Sequence, residues 1–290
     1  MLRTREPVFL IAPVRTPIGK FGGALAKLTA ADLGTAAAEA CLERAGVSGE
    51  AVDQTIFGHA RQAGGGPNTA RQAAETQNRC QAARESGRFD SEIVPIEVPG
   101  RRETITVDKD EHPRDGVVAE KLAKLKPVFR DGGTVTAGNA SGITDGASAV
   151  LVASADAVKK HGLEPVARLV DWEVVGVDPR IMGIGPVPAV KAIMGRNELA
   201  YGEIDQIEIN EAFASQVLAC LEELPFERDR VNPDGGAIAL GHPIGCTGTR
   251  ILVTLLHGLA HRGGTRGIAT HCVSGGMGLA ALVETTSEAP

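Results

Sequence analysis

Apolar and polar positions follow one another along this chain in segments that predict strands and helices in turn. Val8–Pro13 is a short apolar run closed by proline, and Asp53–Gly58 is a second apolar run, so both are predicted to be buried strands. Between them, Ala30–Ala45 repeats apolar residues at helical spacing on one face. A strand, a helix and a strand in this order predict an α/β fold with a parallel or mixed sheet covered by helices.

The second half of the chain repeats this plan. Pro188–Met194 has helical periodicity, and Ile204–Asn210 is an apolar run that predicts a strand. The joins between helix and strand have nearly the same text, GEAVDQ at 49–54 and GEIDQ at 202–206. The same join at the same step of two helix–strand units indicates an internal duplication.

The two halves differ in length. In the first half the pattern of the sequence changes soon after Gly58. In the second half the pattern continues through two helical stretches to a strand before Cys272. From Glu75 the sequence predicts a polar helix, and Glu97–Asp110 alternates in the manner of an exposed hairpin. We therefore expect a truncated first half with an inserted middle region packed against it.

Composition and charge narrow the classes of function. The 290 residues are 43% hydrophobic and 23% charged, which is typical of one large or two medium globular domains. A net charge of −6 with no basic block argues against nucleic acid and anionic membranes as partners. The N-terminus has an apolar stretch that is too short for a secretory signal, and the strand-like sequence from Val8 leaves almost no room for a mitochondrial presequence, so we expect a cytoplasmic protein.

Cysteine usage agrees with that location. The chain has five cysteines without the close spacing of a metal site, so we expect free thiols and no metal: Cys41, Cys80, Cys220, Cys246 and Cys272. The glycine-rich stretches GGGPNTARQ and MGIGP lack the strand-to-helix context of a nucleotide-binding loop. A nucleotide cofactor for hydride transfer is therefore not expected.

Three stretches of the second half carry candidate chemistry. His242 lies in a glycine-rich stretch on a rigid bend, where an imidazole can donate to an oxyanion or exchange a proton. Cys272 ends a strand-like run and is followed by glycines, whose N–H groups suit an oxyanion hole. Asn210 follows a strand and is a candidate for holding a water or a carbonyl. A solvated turn histidine, a buried thiol and a turn asparagine are the non-catalytic alternatives, but their occurrence together favours catalysis.

These stretches resemble the signature blocks of the thiolase family. In the family's order, the chain has RTPIGKFGGAL at 15–25, TAGNASGITDGA at 136–147, NEAF at 210–213, GGAIALGHPIG at 235–245 and CVSGGMG at 272–278. The resemblance implies two βαβαβαββ halves in an α/β/α/β/α layered core, with the first half truncated here. It divides the chain into an N-terminal half (1–74 and 144–165), a loop-domain remnant (75–143) and a C-terminal half (166–290).

The resemblance also implies a two-step chemistry on coenzyme A thioesters, which are substrates and not cofactors. A cysteine of the first half takes an acyl group, and a second cysteine removes the α-proton of acetyl-CoA, whose carbanion attacks the acyl-enzyme; thiolysis is the reverse. Cys272 would be the acid/base, and His242 with a water on Asn210 would form one oxyanion hole. The glycine turn would supply a backbone N–H for the other, and Ser274 in place of the more usual glycine keeps that donor.

The resemblance further implies a coenzyme A groove and a homo-oligomer, either a dimer or a tetramer. The implied groove residues are Ser141, Ala137, Phe129, Arg114 and Phe213. Arg114 suits a phosphate or an adenine edge, with a solvated loop charge as the alternative.

The chain departs from the family where the nucleophilic cysteine is expected, after Ala74. There ARQAA runs directly into ETQNRC, which resembles family text much further along. Cys80 lies in a polar helical stretch, Cys41 and Cys220 lie on helix faces, and Cys246 lies in the histidine loop, so none is taken as the replacement.

Three interpretations stay open. The chain is an internally deleted acetyl-CoA C-acyltransferase or acetyltransferase, or a non-catalytic acyl-CoA binder or partner subunit of an intact thiolase, or a complete protein whose sequence omits a stretch. A ketoacyl synthase is disfavoured because Cys272 begins a C-x-x-G-G motif.

Overall fold

Ten strands and eight α-helices make up the described part of this computed structural model, which comprises residues 6–58, 70–100, 102–129 and 131–286. The strands are β1 (Val8–Arg15), β2 (Gly19–Lys20), β3 (Ile96–Pro99), β4 (Thr104–Val107), β5 (Thr144–Asp145), β6 (Ser148–Ser154), β7 (Ala167–Gly176), β8 (Gln206–Ile209), β9 (Arg266–Val273) and β10 (Met277–Thr285). The helices are α1 (Ala30–Ala45), α2 (Ala70–Glu85), α3 (Ala119–Leu122), α4 (Ala155–His161), α5 (Pro186–Arg196), α6 (Ala214–Glu223), α7 (Ala237–Leu240) and α8 (Thr247–Arg262).

Six strands form one mixed sheet in the order β6-β1-β7-β10-β9-β8. All neighbours in it pair antiparallel except β8 and β9, which pair parallel. The first half of the chain supplies β1 and β6, and the second half supplies the other four strands. The predicted α/β class is therefore confirmed, and the described first half is the smaller part of the sheet.

The predicted duplication is visible in the pairing. In the first half β1 pairs antiparallel with β6, and in the second half β7 pairs antiparallel with β10. The other side of β10 carries β9 and then β8. The other side of β6 carries no strand among the described residues, so the described part of the first half shows no counterparts of β9 and β8 there.

The predicted strand Asp53–Gly58 is wrong. These residues are irregular backbone after a 3-10 turn at Gly49–Ala51, and the Ile56 side chain is 82% exposed. The corresponding strand of the second half, β8, is held by parallel pairing with β9. Without a counterpart of β9 among the described residues, the segment has no ladder for its backbone N–H and C=O groups, and an apolar pattern alone does not make a strand.

The helix α1 forms where the pattern predicts it. Thr29 and Asp32 make a capping box at its start, and Gly46 ends it in the left-handed conformation. Leu33 and Ala37 are buried on the face that packs against β1 and β6. Burying a leucine side chain stabilises a fold by about 2 kcal/mol, so this face anchors α1 to the two strands of the first half.

The helix α2 passes through residues 74 and 75 without a break, so the predicted domain boundary falls inside a helix. It begins at Ala70, earlier than the predicted polar helix, and it is solvated on one face only. Thr76, Gln77 and Cys80 are buried on its other face. The predicted hairpin within Glu97–Asp110 is confirmed as the pair β3 and β4.

A buried ion pair ties β1 to the middle region of the chain. Arg15 contacts Glu92 at 2.6 Å and Asp110 at 2.7 Å, and all three side chains are fully buried. Buried charges are tolerated only when they are paired in this way. The middle region is therefore joined to the sheet by a contact that depends on all three groups.

Candidate active site

Asn210 and His242 meet at the end of the sheet. Asn210 follows β8, and its N–H donates to the Thr270 carbonyl of β9 at 2.9 Å, which fixes its backbone. Its side-chain Nδ2 lies 3.3 Å from His242 Nε2. Asn210 is only 1% exposed, and its Oδ1 has no hydrogen-bond partner among the described residues. Two of the three predicted site residues are therefore brought together.

The imidazole of His242 is held from both sides of the bend that carries it. Gly241 has a φ of +105°, and a Cβ at this position would collide with the side chain of Thr144, so only glycine fits before the histidine. His242 Nδ1 lies 2.6 Å from Thr247 Oγ1 in the first turn of α8. Thr247 Oγ1 also lies 3.1 Å from the Pro243 carbonyl. The ring is thus fixed at both nitrogens.

Burial decides the charge of His242. Burial, and then the positive charges of Arg250 and His271, lower the pKa of His242 to about 4. The ring is therefore neutral at neutral pH and carries one proton. If the Thr247 hydroxyl donates to Nδ1, the proton lies on Nε2; if that hydroxyl donates to the Pro243 carbonyl, the proton lies on Nδ1.

Either arrangement leaves part of the Asn210 amide without a protein partner. Nε2–H requires the amide oxygen opposite it, and an unprotonated Nε2 requires the amide NH₂ group. The remaining half of the amide is free in both cases. A free, buried amide group is what a residue that holds a water or a substrate carbonyl needs.

Glu211, which sequence reasoning missed as a site residue, fastens the strand end to the glycine-rich stretch. Its Oε2 lies 2.9 Å from Thr76 Oγ1 and accepts the Ile238 N–H at 3.1 Å. Its Oε1 accepts from Asn232 Nδ2 at 3.1 Å. Glu211 is fully buried, and burial raises its pKa. In the sequence, the only sign of these contacts was an acidic residue, Glu211, between two apolar stretches.

Cys272 lies near the end of β9, beside the turn that leads into β10. It is half-buried and pairs with Gly278 across that turn. A Cβ at Gly278 would collide with the Gly185 carbonyl, so the close approach of backbones requires glycine there. Burial raises the pKa of the Cys272 thiol. Its role as acid/base stays a prediction, as do the roles of Asn210 and His242.

Three of the other thiols are packed into the interior. Cys41, Cys80 and Cys220 are at most 4% exposed. Burial raises the pKa of Cys41 to about 11 and that of Cys220 to about 12, and it raises the pKa of Cys80 further. Since the thiolate is the reactive form, burial disfavours the reactive state of these three residues in the native fold.

The last thiol, Cys246, lies beside a cavity. It precedes α8, is half-buried, and its Sγ lies 3.2 Å from Ser148 Oγ. Together with Thr144 and Phe57 it lines a cavity of about 240 Å³. Burial raises the pKa of Cys246, against the opposing effects of Ser148 and Arg250.

The predicted coenzyme A residues fall into two groups. Ser141 Oγ donates to the Ala212 carbonyl at 3.2 Å, and Ala140 forms a bridge with Phe213, so Ser141 and Phe213 lie beside Asn210. The other three are exposed on the middle region and do not join them in any contact that the structure gives: Phe129, Ala137 and Arg114. No group of three His, Cys, Asp or Glu side chains in the described ranges could hold a metal ion.

Comparison with known proteins extends over nearly the whole chain. A family model described as the C-terminal domain of thiolase matches residues 163–285. The model of the thiolase N-terminal domain matches in two stretches, 8–76 and 72–156, which meet within α2. No helix of the described residues is long and apolar enough to cross a membrane.

Individual relatives agree with the family models. The acetyl-CoA acetyltransferase of Shinella zoogloeoides is 35% identical over 387 residues, covering 96% of this chain and 99% of that protein. The beta-ketoadipyl-CoA thiolase of Pseudomonas aeruginosa is 55% identical over 214 residues, 73% of this chain but only 53% of that protein, so this match spans about half of the relative. The alignment with the Shinella protein is longer than the 290-residue chain, so part of that relative has no counterpart here.

A solved structure shows the same fold. Human mitochondrial 3-ketoacyl-CoA thiolase, in a crystal structure in complex with CoA, superposes with a TM-score of 0.88 and 33% sequence identity, covering 97% of this chain and 98% of that one. With both family models matched along the chain and relatives above 30% identity at nearly full coverage, this chain belongs to the thiolase family.

Proposed function

We propose that this chain is an acyl-CoA acyltransferase that keeps the proton-transfer half of thiolase chemistry and lacks the nucleophilic cysteine. The observation that carries the proposal is the contact between Asn210 and His242, with a buried amide group left free. The intact reaction of this class is the formation or thiolysis of a 3-ketoacyl-CoA. Relatives named acetyl-CoA acetyltransferase and 3-ketoacyl-CoA thiolase support that substrate class.

In the retained step, the Cys272 thiolate removes an α-proton from acetyl-CoA, and the electron pair moves onto the thioester oxygen. His242 donates to that oxygen from Nε2–H, which requires the Thr247 hydroxyl to donate to Nδ1. A water held by Asn210 donates to the same oxygen. Because the imidazole is neutral and already fixed, it stabilises the oxyanion without reorganising. Burial raises the pKa of Cys272, so the rate of this step should rise with pH.

The missing step is acyl transfer. The family's N-terminal model matches in two stretches that meet at 72–76, the position where the nucleophile block is expected. Cys80, the nearest thiol along the chain, is fully buried on α2. Without a thiolate to hold the first acyl group, condensation and thiolysis lose several orders of magnitude in rate.

The test separates the two steps in one preparation. We expect the chain to exchange the α-protons of acetyl-CoA with D₂O, read by mass spectrometry, and to give almost no thiolysis of acetoacetyl-CoA. Exchange should be abolished in Cys272→Ala and should fall about 10²–10³-fold in His242→Ala. His161→Ala, on the exposed end of α4, is the matched control and should exchange at the parental rate.

Two results would count against the proposal. Exchange that persists in Cys272→Ala would remove the base from its assignment. Thiolysis at ordinary enzymatic rates, with the intact mass of the 290-residue chain confirmed, would mean that another cysteine has taken the nucleophile's place.

A second candidate is a non-catalytic acyl-CoA binder or a partner subunit of an intact thiolase. The burial of Cys41, Cys80 and Cys220 favours it, because it leaves few thiols for chemistry. Binding of acetyl-CoA by calorimetry together with no α-proton exchange would select this candidate. In both cases we propose a cytoplasmic protein that uses CoA thioesters without a bound cofactor.

A further inference from the structure

A histidine of the middle region contacts the short helix that leads to His242. His112 is half-buried, and its Nδ1 lies 2.7 Å from the Ala239 carbonyl oxygen in α7. A carbonyl oxygen only accepts hydrogen bonds, so Nδ1 carries the proton and donates. Burial lowers the pKa of His112, so the ring is neutral at neutral pH and its Nε2 is unprotonated. The contact therefore fixes both the place and the tautomer of the ring.

The same ring covers Gly142. A Cβ at this position would collide with Nε2 and with the neighbouring ring carbons of His112. Gly142 is not among the glycines with a positive φ, so the ring, and not the backbone conformation, excludes a side chain here. The Gly142 carbonyl accepts the His242 N–H at 3.3 Å. His112 thus packs against the residue that holds the backbone of His242.

The two contacts of this ring hold the bend that carries His242 from two stretches of the chain. Ala239 precedes the bend on α7, and Gly142 belongs to a distant segment that is bonded to the bend. That segment is also bonded to the chain after β8, because the Ser141 N–H donates to the Ala212 carbonyl at 3.1 Å. One imidazole therefore joins the stretches of backbone whose separation sets the distance between the two site side chains.

The backbone around His112 is fastened independently of the bend. On one side of it, the Glu111 Oε2 accepts the Ala24 N–H at 2.9 Å. On the other side, the Arg114 N–H donates to the Oε1 of Gln77, which is buried on α2, at 2.9 Å. Because both flanks of His112 are attached to other elements, its ring can act as a fixed support for the bend.

We propose that His112 is a positioning residue of the candidate site, which keeps His242 beside Asn210 through its contacts with Ala239 and Gly142. This inference rests on the proposed function, because it gives His112 a part in the same proton-transfer step. When the N–H donor is removed, the Ala239 carbonyl loses its partner and the bend is free to move. A displacement of about 1 Å in an active site costs about 10²-fold in rate.

The experiment compares two substitutions of similar size in the full chain. His112→Leu removes the N–H donor, whereas His112→Asn keeps a donor close to the position of Nδ1. In His112→Leu, kcat for the α-proton exchange of acetyl-CoA should fall at least about tenfold with little change in KM. His112→Asn should restore most of this loss, which a role in packing alone would not do. His161→Leu, on the exposed end of α4, is the matched control and should exchange at the parental rate.

A second measurement does not depend on activity. Nitrogen-15 NMR of the histidine rings, assigned with His242→Gln and His112→Leu, should show the His112 proton on Nδ1 in the parent. In His112→Leu the pKa of His242, about 4 in the parent, should rise by about one unit, because a looser bend admits water to the ring. His112→Asn should keep the parental value. If the parent shows no exchange, the proposed function fails, and these spectra still test the role of His112.

Three results overturn the proposal. The first is a folded His112→Leu variant in which the pKa of His242, or the exchange rate of an active parent, is unchanged. The second is an effect of His112→Asn as large as that of His112→Leu, and the third is a parental His112 protonated on Nε2. If His112→Leu does not fold by circular dichroism, Gly142→Ala decides, because its methyl group displaces the ring while the donor remains. A raised pKa of His242 in that variant supports the proposal, and an unchanged one overturns it.

Discussion

Acidification should destabilise the native fold through His242. In the folded chain, burial lowers the pKa of His242 to about 4, whereas the unfolded chain has the ordinary histidine value of 6.5. Its contribution is therefore fully present above pH 6.5 and is lost as pH falls towards 4, because the unfolded state takes up the proton first. The neighbours of the ring act in the same direction, since Arg250 and His271 both oppose a positive charge there.

The magnitude follows from the size of the shift. Each unit of pKa difference corresponds to 1.36 kcal/mol. The contribution of His242 to the free energy of unfolding is therefore about 3 kcal/mol in full, and about 2 kcal/mol of it is lost when the pH falls to 5. That is a large fraction of the 5–15 kcal/mol net stability of a typical domain. Glu208 has the opposite effect. Burial raises the pKa of Glu208 to about 8, so its contribution to the free energy of unfolding increases as the pH falls from 8 towards 4.5.

Because these contributions add, the His242 contribution is read as a difference between variants. Urea unfolding is followed by far-UV circular dichroism at pH 8, 7, 6 and 5 for the parent, His242→Gln and His161→Gln. The free energy of unfolding of the parent should fall relative to His242→Gln by about 2 kcal/mol between pH 8 and pH 5. His161→Gln, altered at an exposed position, should run parallel to the parent. If His242→Gln also runs parallel, the buried neutral imidazole is refuted.

Three further predictions concern packing and reactivity. Arg15→Met leaves two buried carboxylates without their cation and should lower the free energy of unfolding by about 3–5 kcal/mol in urea titrations; a loss below 1 kcal/mol would contradict the ion pair. Gly278→Ala forces two backbones apart and should lower the free energy of unfolding by about 1–3 kcal/mol in the same titrations. Gly195→Ala in the helix α5, where open space surrounds the residue, should instead raise it by up to about 1 kcal/mol. Equal effects of the two substitutions would contradict the close approach at Gly278. Iodoacetamide followed by peptide mass mapping should label Cys272 in the native chain and Cys80 only after unfolding, and native labelling of Cys80 would contradict its burial.

Local pattern was sufficient for the elements that local interactions hold. The helix α1 has its own capping box and left-handed end, and the hairpin β3–β4 pairs with itself, so both were predictable. The segment Asp53–Gly58 has the same apolar pattern as β8 and does not form a strand. The difference lies in the neighbouring strand. β8 is stabilised by backbone hydrogen bonds to β9, and a strand without such a partner is not stable.

The candidate site divides in the same way. Asn210 and His242 could be singled out as candidates, because a strand end and a glycine-flanked bend leave local signals, and the structure brings the two side chains together. Thr247 was not singled out, although it holds His242 Nδ1, because a threonine at the start of a helix is ordinary. Glu211 was missed because its partner Thr76 lies 135 residues away in the sequence. Contacts of that range follow from the fold and leave no trace in the local text.

The difference between the two halves of the sheet bears on the proposed absence of a nucleophile. Asn210 follows β8, Cys272 lies on β9, and His242 lies on the bend that leads into α8, so every predicted catalytic side chain depends on an element of the second half. β8 and β9 have no counterpart beside β6 among the described residues. We expect a nucleophile from the first half to need such strands for its positioning. The proposed separation of proton exchange from acyl transfer would then follow from this difference between the two halves.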